Sequence, residues 1–146
     1  MIRELTIRQA TGADAKRLCE LASQLGYLCH PSEVVGRIER VAGSDKEVIL
    51  VAQSEDEVIG WTSLAIVEHF YLEPFVEVSG FVVDERFRSH GIGKQLMAAA
   101  EQWVRDKNLN LIRLKTNAIR KGAHRFYERH GFEKTKEQYV YMKIIE

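Results

Sequence analysis

One short segment, residues 88–94, constrains the possible fold more than any other part of the chain. It reads Arg-Ser-His-Gly-Ile-Gly-Lys and follows residues 76–83, a run rich in β-branched and aromatic side chains. After it, apolar residues recur at helical spacing to about residue 106. The pattern predicts a strand, a glycine-containing turn and the start of a helix. Because the first amides of a helix lack intrahelical partners and glycine allows close approach, this arrangement is typical of an anion site.

Two common phosphate-binding motifs do not fit this segment. A P-loop has a glycine five residues before its Gly-Lys pair and Ser or Thr after the lysine. Here those positions hold Arg88 and Gln95. A Rossmann fingerprint has a third glycine where this chain has Leu96. The pattern that remains is R-x-x-G-x-G.

This R-x-x-G-x-G pattern after a strand resembles the acetyl-CoA signature of the GNAT N-acetyltransferases. A second block, residues 123–132, contains Ala-His-Arg-Phe-Tyr-Glu and then Gly-Phe, and it resembles that family's A-x-x-F-Y-E-x-x-G-F segment. The resemblance covers roughly residues 3–145. It implies an α/β (α+β) fold, with a mixed, mostly antiparallel sheet of six to seven strands, a V-shaped cleft and about four flanking helices. It also implies a single domain over residues 1–146.

Periodicity and capping signals predict an order of elements that agrees with this fold. The predicted strands are residues 5–10, 48–53, 58–67, 76–83 and 111–116. The predicted helices are residues 11–25, 31–42, 91–106 and 121–130. Residues 68–74 are expected to form a connector, and residues 133–145 to hold one strand or two.

Composition and charge narrow the class of protein. A chain of 146 residues with 45% hydrophobic and 29% charged residues is expected to build one ordinary soluble core. No apolar run approaches the ~20 residues of a membrane span, and charges at Arg3, Glu4 and Arg8 interrupt a signal peptide. We therefore expect a cytoplasmic protein without membrane contact. Cys19 and Cys29 are interpreted as reduced thiols, each a small buried hydrophobe.

The charges are unevenly distributed along the chain. The net charge is zero, which argues against a nucleic-acid partner. Residues 1–83 carry 7 basic and 13 acidic side chains, a net charge of −6, and residues 84–146 carry 14 and 8, a net charge of +6. The basic half is interpreted as the seat of an anionic cofactor, and the acidic half as favouring a cationic acceptor. That these are solvated faces sorted by chance stays equally open for the acidic half.

The resemblance implies which residues hold acetyl-CoA as a co-substrate. The pantetheine arm is expected to bond to the strand backbone at Phe81, Val82 and Val83, as in strand addition to an open edge. Arg88 takes the family's Gln/Arg position, where it contacts phosphate, braces the loop or is solvated. Asn117 is a further candidate contact, while Arg120 stands where many relatives have an asparagine. The pyrophosphate is expected on the backbone amides of Ser89, His90, Gly91, Ile92, Gly93 and Lys94.

The resemblance also implies two catalytic residues. Tyr127 is the candidate acid, because a phenol with a pKa near ~10 stays protonated at neutral pH and can donate to a thiolate whose thiol has a pKa near ~8.5. Glu77 is the candidate base, eleven residues before Arg88, because an alkylamine with a pKa near ~10.4 arrives protonated. Strand alternation predicts that Glu77, Ser79, Phe81 and Val83 share one side. The alternatives are a core tyrosine, a solvent-facing glutamate and a water chain that removes the proton.

The acceptor is expected to be the amine of a small molecule or peptide. The resemblance places its site among the first two helices and the connector, near Tyr27, His30, Glu33, Glu68, His69, Tyr71 and Glu73. No metal is expected, since His124 and His130 are six residues apart and the other histidines lack zinc-like spacing. A homodimer is left open. The rival hypotheses are a CoA-binding module without turnover and an acyltransferase with a different donor or acceptor.

Overall fold

The computed structural model describes residues 4–116 and 121–146, and it divides into two compact units, Met1–Lys115 and Thr116–Glu146. The single domain predicted from the sequence stays a prediction. The strands of the first unit are β1 (Leu5–Gln9), β2 (Glu47–Ser54), β3 (Glu57–His69), β4 (Leu72–Val83) and β5 (Ile112–Leu114). The α-helices are α1 (Ala15–Ser23), α2 (Pro31–Ala42) and α3 (Ile92–Asp106) in the first unit and α4 (Lys121–Arg129) in the second. Short 3₁₀ turns occupy Gly12–Asp14 and Glu85–Phe87.

The five strands form one sheet in the order β1-β2-β3-β4-β5. The first four are antiparallel to their neighbours, and β5 runs parallel to β4. The predicted fold, a mixed and mostly antiparallel sheet with about four helices, is confirmed for the described part of the chain.

The predicted number of strands, six to seven, is wrong for the residues that the structure describes, which form five. Residues 133–145 contain no strand, although they carry alternating β-prone side chains. Tyr139, Tyr141 and Met142 are almost fully exposed. Strand propensity reports packing on a half-buried pleated surface, and these side chains have no such surface here.

The predicted connector at residues 68–74 is instead part of a hairpin. β3 continues to His69, β4 begins at Leu72, and only Phe70 and Tyr71 form the turn. The rings of His69 and Tyr71 stack with centroids 5.3 Å apart. From the sequence, these aromatic residues are predicted as a loop because polar and apolar residues do not alternate around them.

Helices cover both faces of the sheet. On one face, Leu18 and Leu21 of α1 and Ile38 of α2 pack with Val51 and Val82. On the other face, Ile92 and Leu96 of α3 pack with Ala52 and Ile59, and Phe81 and Val83 pack against this cluster. The faces are opposite because successive residues of a strand point to opposite sides. Each helix buries one apolar stripe, as its 3.6-residue period predicts.

The two cysteines form a disulfide, so the prediction of reduced thiols is wrong. Cys19 lies buried on α1, Cys29 lies ten residues further on, and their Cα atoms are 5.5 Å apart. Gly26, at φ +92°, lies in the turn after α1 through which the chain passes between them. Two cysteines ten residues apart give no such signal in the sequence, because the pairing depends on this turn.

No helix within the described ranges is both long and apolar enough to span a membrane.

The turn between β1 and α1 is fixed by a buried ion pair. Arg8 Nη1 and Nη2 donate to the two carboxylate oxygens of Asp14, each at 2.9 Å. The backbone N–H of Thr11 donates to Asp14 Oδ2 at 2.8 Å, as in a capping box in which aspartate replaces glutamate. The hydrogen bond from Arg8 lowers the pKa of Asp14 from 3.8 despite the opposing effect of burial.

We expect Asp14→Asn to lower the free energy of unfolding by about 1–3 kcal/mol at pH 7, the usual cost of unpairing a hydrogen bond to a charged group. Because the folded-state pKa is depressed, the carboxylate stabilises the fold above pH 3.8, and this stabilisation is lost as the pH falls through the folded pKa. Urea unfolding at neutral and acidic pH should show the gap between the proteins closing in acid. Asp45→Asn, at an exposed position, is the control, and an equal loss in both variants would contradict the assignment.

Candidate functional site

The segment between β4 and α3 has the strand–turn–helix geometry that the sequence predicts. After the 3₁₀ turn, Arg88 is extended, Ser89 adopts φ +68°, and Gly91 adopts φ +81° as the N-cap of α3. A Cβ atom on Gly91 would meet nothing within 4 Å. The glycine is therefore required by the left-handed backbone and not by a lack of space.

The first turn of α3 presents backbone donors without acceptors. The first backbone hydrogen bond of the helix runs from Gln95 N–H to the carbonyl of Gly91, at 3.1 Å. In the described part of the chain, the amides of Ile92, Gly93 and Lys94 make no backbone hydrogen bond, and Gly91 supplies no side-chain cap. A helix of 15 residues adds its positive N-terminal dipole at the same place. The arrangement is chemically suited to hold a phosphate group.

Side chains of the loop brace its own backbone. Arg88 Nε donates to the carbonyl of Val83, the last residue of β4, at 3.3 Å. His90 Nδ1 donates to the carbonyls of Arg88, at 2.9 Å, and Phe87, at 3.1 Å. Ser89 and Lys94 are exposed. Of the three alternatives for Arg88, the structure shows the bracing contact, whereas the roles of all these residues toward a ligand stay predictions.

β5 covers only a short stretch of the neighbouring β4 edge. β5 pairs only with Val76, Glu77 and Val78. Further along, no strand among the described residues pairs with β4 on that side, and this stretch contains Phe81, Val82 and Val83. A sheet edge that a neighbouring strand covers only in part is a place where an extended ligand can add as a further strand. The geometry agrees with the splayed strands that the sequence resemblance implies.

A bulge in β4 contradicts the predicted alternation. Ser63 pairs with Gly80 and Leu64 with Val78, so β4 contains one extra residue, Ser79. Across the bulge, Glu77 pairs with Ala65, and Phe81 pairs with Thr62. Ala65 and Thr62 are three residues apart on β3 and point to opposite faces, and paired residues share a face. Glu77 and Phe81 therefore lie on opposite faces, and the prediction of one shared side is wrong.

Glu77 lies on the face of the sheet that carries α1 and α2. Ala65 and Trp61 are four residues apart on β3, and Trp61 pairs with Val82, which packs with α1 and α2. The Glu77 side chain is half-buried, and its Oε1 lies 3.7 Å from Lys115 Nζ. The carboxylate thus keeps a solvent-accessible side, which a proton acceptor that works through water needs, whereas the nearby ammonium by itself favours the ionised form.

Trp61 is a residue on this face that the sequence reasoning missed. A Cβ atom on Gly80 would lie 2.5 Å from Trp61 Cζ3, so the indole packs directly over the backbone of β4 beside the bulge. Trp61 Nε1 is buried and has no hydrogen-bond partner among the described residues. The glycine at position 80 is the one sequence signal for this contact, since glycine within a strand often marks a bulge or a close approach.

Asp84 is a second residue that the sequence reasoning missed. It follows β4 directly and is 2% exposed. Burial alone raises the pKa of its carboxyl group, but hydrogen bonds from Arg86, Arg17 and Gln24 outweigh that effect and hold the pKa well below its usual range. The signal in the sequence is an acidic residue immediately after a buried strand, which is a weak one by itself.

The predicted acceptor residues lie on exposed segments of the first unit. Tyr27 is exposed in the segment between α1 and α2, and Tyr71 is exposed at the β3–β4 turn. Glu68 pairs with Lys46 at 3.1 Å, while Glu33 and Glu73 are exposed. Aromatic and acidic groups on exposed segments are suited to an ammonium ligand.

Tyr127 lies in the second unit, on α4, and is half-buried. Its ring meets those of Phe126 and Phe132 edge-on, with centroids 5.6 and 5.8 Å apart. The chain reverses at Gly131, at φ +87°, and Phe132 N–H donates to the carbonyl of Tyr127 at 3.0 Å. The predicted contacts Asn117 and Arg120 lie outside the described residues. Within the described ranges, no three His, Cys, Asp or Glu side chains cluster closely enough to hold a metal.

Comparison with known proteins identifies the class. The sequence profile of the Acetyltransferase (GNAT) family matches residues 15–132, which is most of the chain. The chain belongs to this family, and the prediction of an acyltransferase of the GNAT class is confirmed.

Two relatives and one solved structure illustrate the similarity. Aminoglycoside N(6')-acetyltransferase type 1 of Stenotrophomonas maltophilia is 27% identical over 145 residues, which is 95% of this chain and 92% of the relative. Aminoalkylphosphonate N-acetyltransferase of Salmonella typhimurium is 36% identical over 86 residues, 58% of this chain and 56% of the relative. The aminoglycoside N-acetyltransferase AAC(6')-Iy, solved with a CoA-containing bisubstrate analogue, superposes with a TM-score of 0.84 at 23% identity, covering 98% of this chain and 100% of that one. This last likeness shows the fold.

We expect Gly91→Ala to lower the free energy of unfolding by about 1–2 kcal/mol, because a side chain strains the left-handed backbone at this position. Gly36→Ala is the matched control. It lies within α2, where an added Cβ meets nothing, and it should raise the free energy of unfolding by about 0.5–1 kcal/mol. Urea unfolding measures both. If Gly91→Ala also stabilises the protein, the backbone at this position does not require glycine.

Proposed function

We propose that this chain is an acetyl-CoA-dependent N-acetyltransferase that transfers an acetyl group directly to a primary amine of a small molecule or peptide. The observation that carries the proposal is the set of unpartnered amides at the start of α3, which follow β4 and its short partner strand β5. Negatively charged diphosphate fits the amides, and an extended arm fits the strand edge. Family membership supports the same reaction class.

Acetyl-CoA, when bound, supplies an acetyl thioester as the activated group. In the proposal, the amides of residues 89–94 hold its diphosphate, and the backbone of Phe81, Val82 and Val83 holds the pantetheine arm. A backbone N–H of β4 meets the carbonyl oxygen as negative charge develops there. Each of these assignments is made by motif position, and the shortness of β5 beside β4 supports the second.

Two side chains act as general base and general acid in the transfer. Glu77 accepts a proton from the incoming ammonium, through water, so that the neutral nitrogen attacks the acetyl carbon. As the carbon–sulfur bond breaks, the Tyr127 hydroxyl donates its proton to the departing sulfur, and the second proton that the attacking nitrogen loses on becoming an amide restores the hydroxyl. The face that Glu77 shares with α1 and α2 supports its role, because the acceptor is expected there. The role of Tyr127 is supported by its place in the Phe-Tyr-Glu segment.

A cationic small-molecule amine is the acceptor that the first unit favours. Its exposed Tyr27, Tyr71, Glu33 and Glu73 provide aromatic faces and carboxylates for an ammonium group. Two relatives are named for aminoglycoside and aminoalkylphosphonate acetylation, and both names describe small primary amines. A homodimer and a cytoplasmic location stay predictions, and the Cys19–Cys29 disulfide weighs against the second, since cytoplasmic thiols are kept reduced.

An amine screen with acetyl-CoA, followed by release of free thiol, tests this proposal. The panel should contain polyamines, aminoglycosides, aminoalkylphosphonates, amino acids and N-terminal peptides, and we expect turnover with at least one class. Calorimetry with CoA runs in parallel. Binding without any turnover would favour a CoA-binding module. Turnover only with other acyl-CoA donors or with alcohols would favour an acyltransferase with a different donor or acceptor.

We expect Tyr127→Phe to lower kcat by about 10²–10⁴-fold, the usual contribution of a general acid, while the Kd for CoA stays within about twofold. The phenyl ring preserves packing against Phe126 and Phe132 and removes only the proton donor. Tyr139→Phe, at an exposed position, is the control. A variant with unchanged kcat would show that Tyr127 is not the acid.

We expect Glu77→Gln to lower kcat/KM at neutral pH by about 10²-fold or more, because the amine no longer loses its proton to a base. The defect should shrink as the pH rises toward the amine pKa of about 10.4, where the acceptor arrives neutral. A pH–rate profile measures this, with Glu55→Gln in the exposed β2–β3 turn as the control. A defect that is constant across the pH range would rule out the base role.

A further inference from the structure

Asp84 is the centre of a charged network at the point where the chain leaves β4. Its Oδ2 accepts hydrogen bonds from Arg17 Nη2 of α1 at 2.5 Å and from Arg86 Nη2 at 2.7 Å and Nε at 3.1 Å. Its Oδ1 accepts from the backbone N–H of Arg86 at 3.1 Å and lies 3.4 Å from Gln24 Nε2. A carboxylate this buried needs such partners, because an unpaired buried charge is strongly destabilising.

The same network also reaches the start of β3. Arg17 Nε donates to the carbonyl of Val58 at 2.8 Å, and both Arg17 and Arg86 also pair with Glu57 at the start of β3. Glu20 Oε2 also lies 3.9 Å from Arg17 Nη1, so the two guanidinium groups meet three carboxylates and the cluster carries no excess positive charge. Since both arginines are already engaged by these acids, the cluster is suited to hold the backbone in place and not to bind an anion itself.

Gln24 adds a link from the end of α1 to the backbone of the loop. Its Oε1 accepts a hydrogen bond from the backbone N–H of Glu85 at 2.9 Å, while its Nε2 faces Asp84. Gln24 lies between the two cysteines of the disulfide, which ties down the same segment. The direction in which residues 84–86 leave the sheet is therefore fixed from α1, from β3 and from within the loop.

These contacts lie upstream of the unpartnered amides on one short stretch of backbone. Asp84 is seven residues before Gly91, and the carbonyl of Asp84 accepts from Phe87 N–H at 2.9 Å to close the intervening turn. An error of about 1 Å in the position of a binding group can cost about 10²-fold in rate. The position of the helix start therefore depends on how firmly residues 84–87 are held.

We propose that Asp84, together with Gln24, is a positioning residue that aligns the amides of residues 89–94 with the diphosphate of CoA. The inference rests on the proposed function of this loop and assigns it a support that reaches back to α1. Asp84 and Gln24 do not touch the reacting atoms. Their effect falls on the part of the donor that carries the diphosphate.

Comparing acetyl-CoA with acetyl-pantetheine, which lacks the diphosphate, tests this role. We expect Gln24→Ala to lower kcat/KM for acetyl-CoA about tenfold and Asp84→Asn to lower it about 10²-fold. With acetyl-pantetheine, kcat/KM of each variant should stay within about twofold of the wild-type value. Gln24→Ala removes a half-buried amide and leaves the ion pairs intact, so it carries the test if Asp84→Asn does not fold. Gln102→Ala is the control, because Gln102 bonds to Asp106 at the C-terminal end of α3, far from the start of that helix.

The outcomes separate the possible causes. A selective loss with acetyl-CoA supports the positioning role, because a general defect in the fold would slow both donors. An equal loss with both donors, or no loss with either, overturns it. A wild-type protein that uses the two donors equally well overturns the proposed function of the loop itself, and the positioning role with it.

Discussion

The structure depends on one constraint, the start of a long helix directly after a left-handed glycine. Gly91 ends the loop, α3 begins at Ile92, and the first amides of the helix have no backbone acceptors among the described residues. Such donors must find water or a ligand. Around them, the structure is stiff: Arg88 bonds to the end of β4, His90 bonds to its own loop, and Asp84 fixes the point where the chain leaves the sheet. A rigid loop with unpaired donors is preorganised for an anion.

The sheet gives this loop its direction and its neighbours. β4 is a partner of β5 over only three residues, and no strand among the described residues pairs with its second half on that side, just before the loop. The bulge at Ser79 changes which face each β4 side chain takes, and it places Glu77 with α1 and α2 while Phe81 and Val83 pack against α3. The sheet therefore separates two tasks. One face packs against the helix that begins at the proposed anion site, and the other carries α1, α2 and the proposed base Glu77.

Local patterns were sufficient to predict most of the elements and the loop. Glycines flanked by a β-rich run and a 3.6-residue apolar period predict the turn and α3, and Asp14 predicts the capped start of α1. Features that depend on partners distant in sequence were not predictable. The bulge needs β3 to define it, the disulfide needs the turn at Gly26, and the environment of Asp84 needs Arg17 from α1. The strands predicted in residues 133–145 fail for the same reason, because strand propensity without a surface to pack on does not make a strand.

The most direct test of the account is a backbone amide NMR titration with CoA, compared with pantetheine. The account predicts that the amide signals of Gly91, Ile92, Gly93 and Lys94 shift strongly and saturably with CoA. It also predicts that pantetheine, which has no diphosphate, leaves these signals in place, since the shift arises from charge-assisted hydrogen bonds to phosphate oxygens. If CoA binds while these four signals stay unchanged, the diphosphate is held elsewhere and the central claim is wrong.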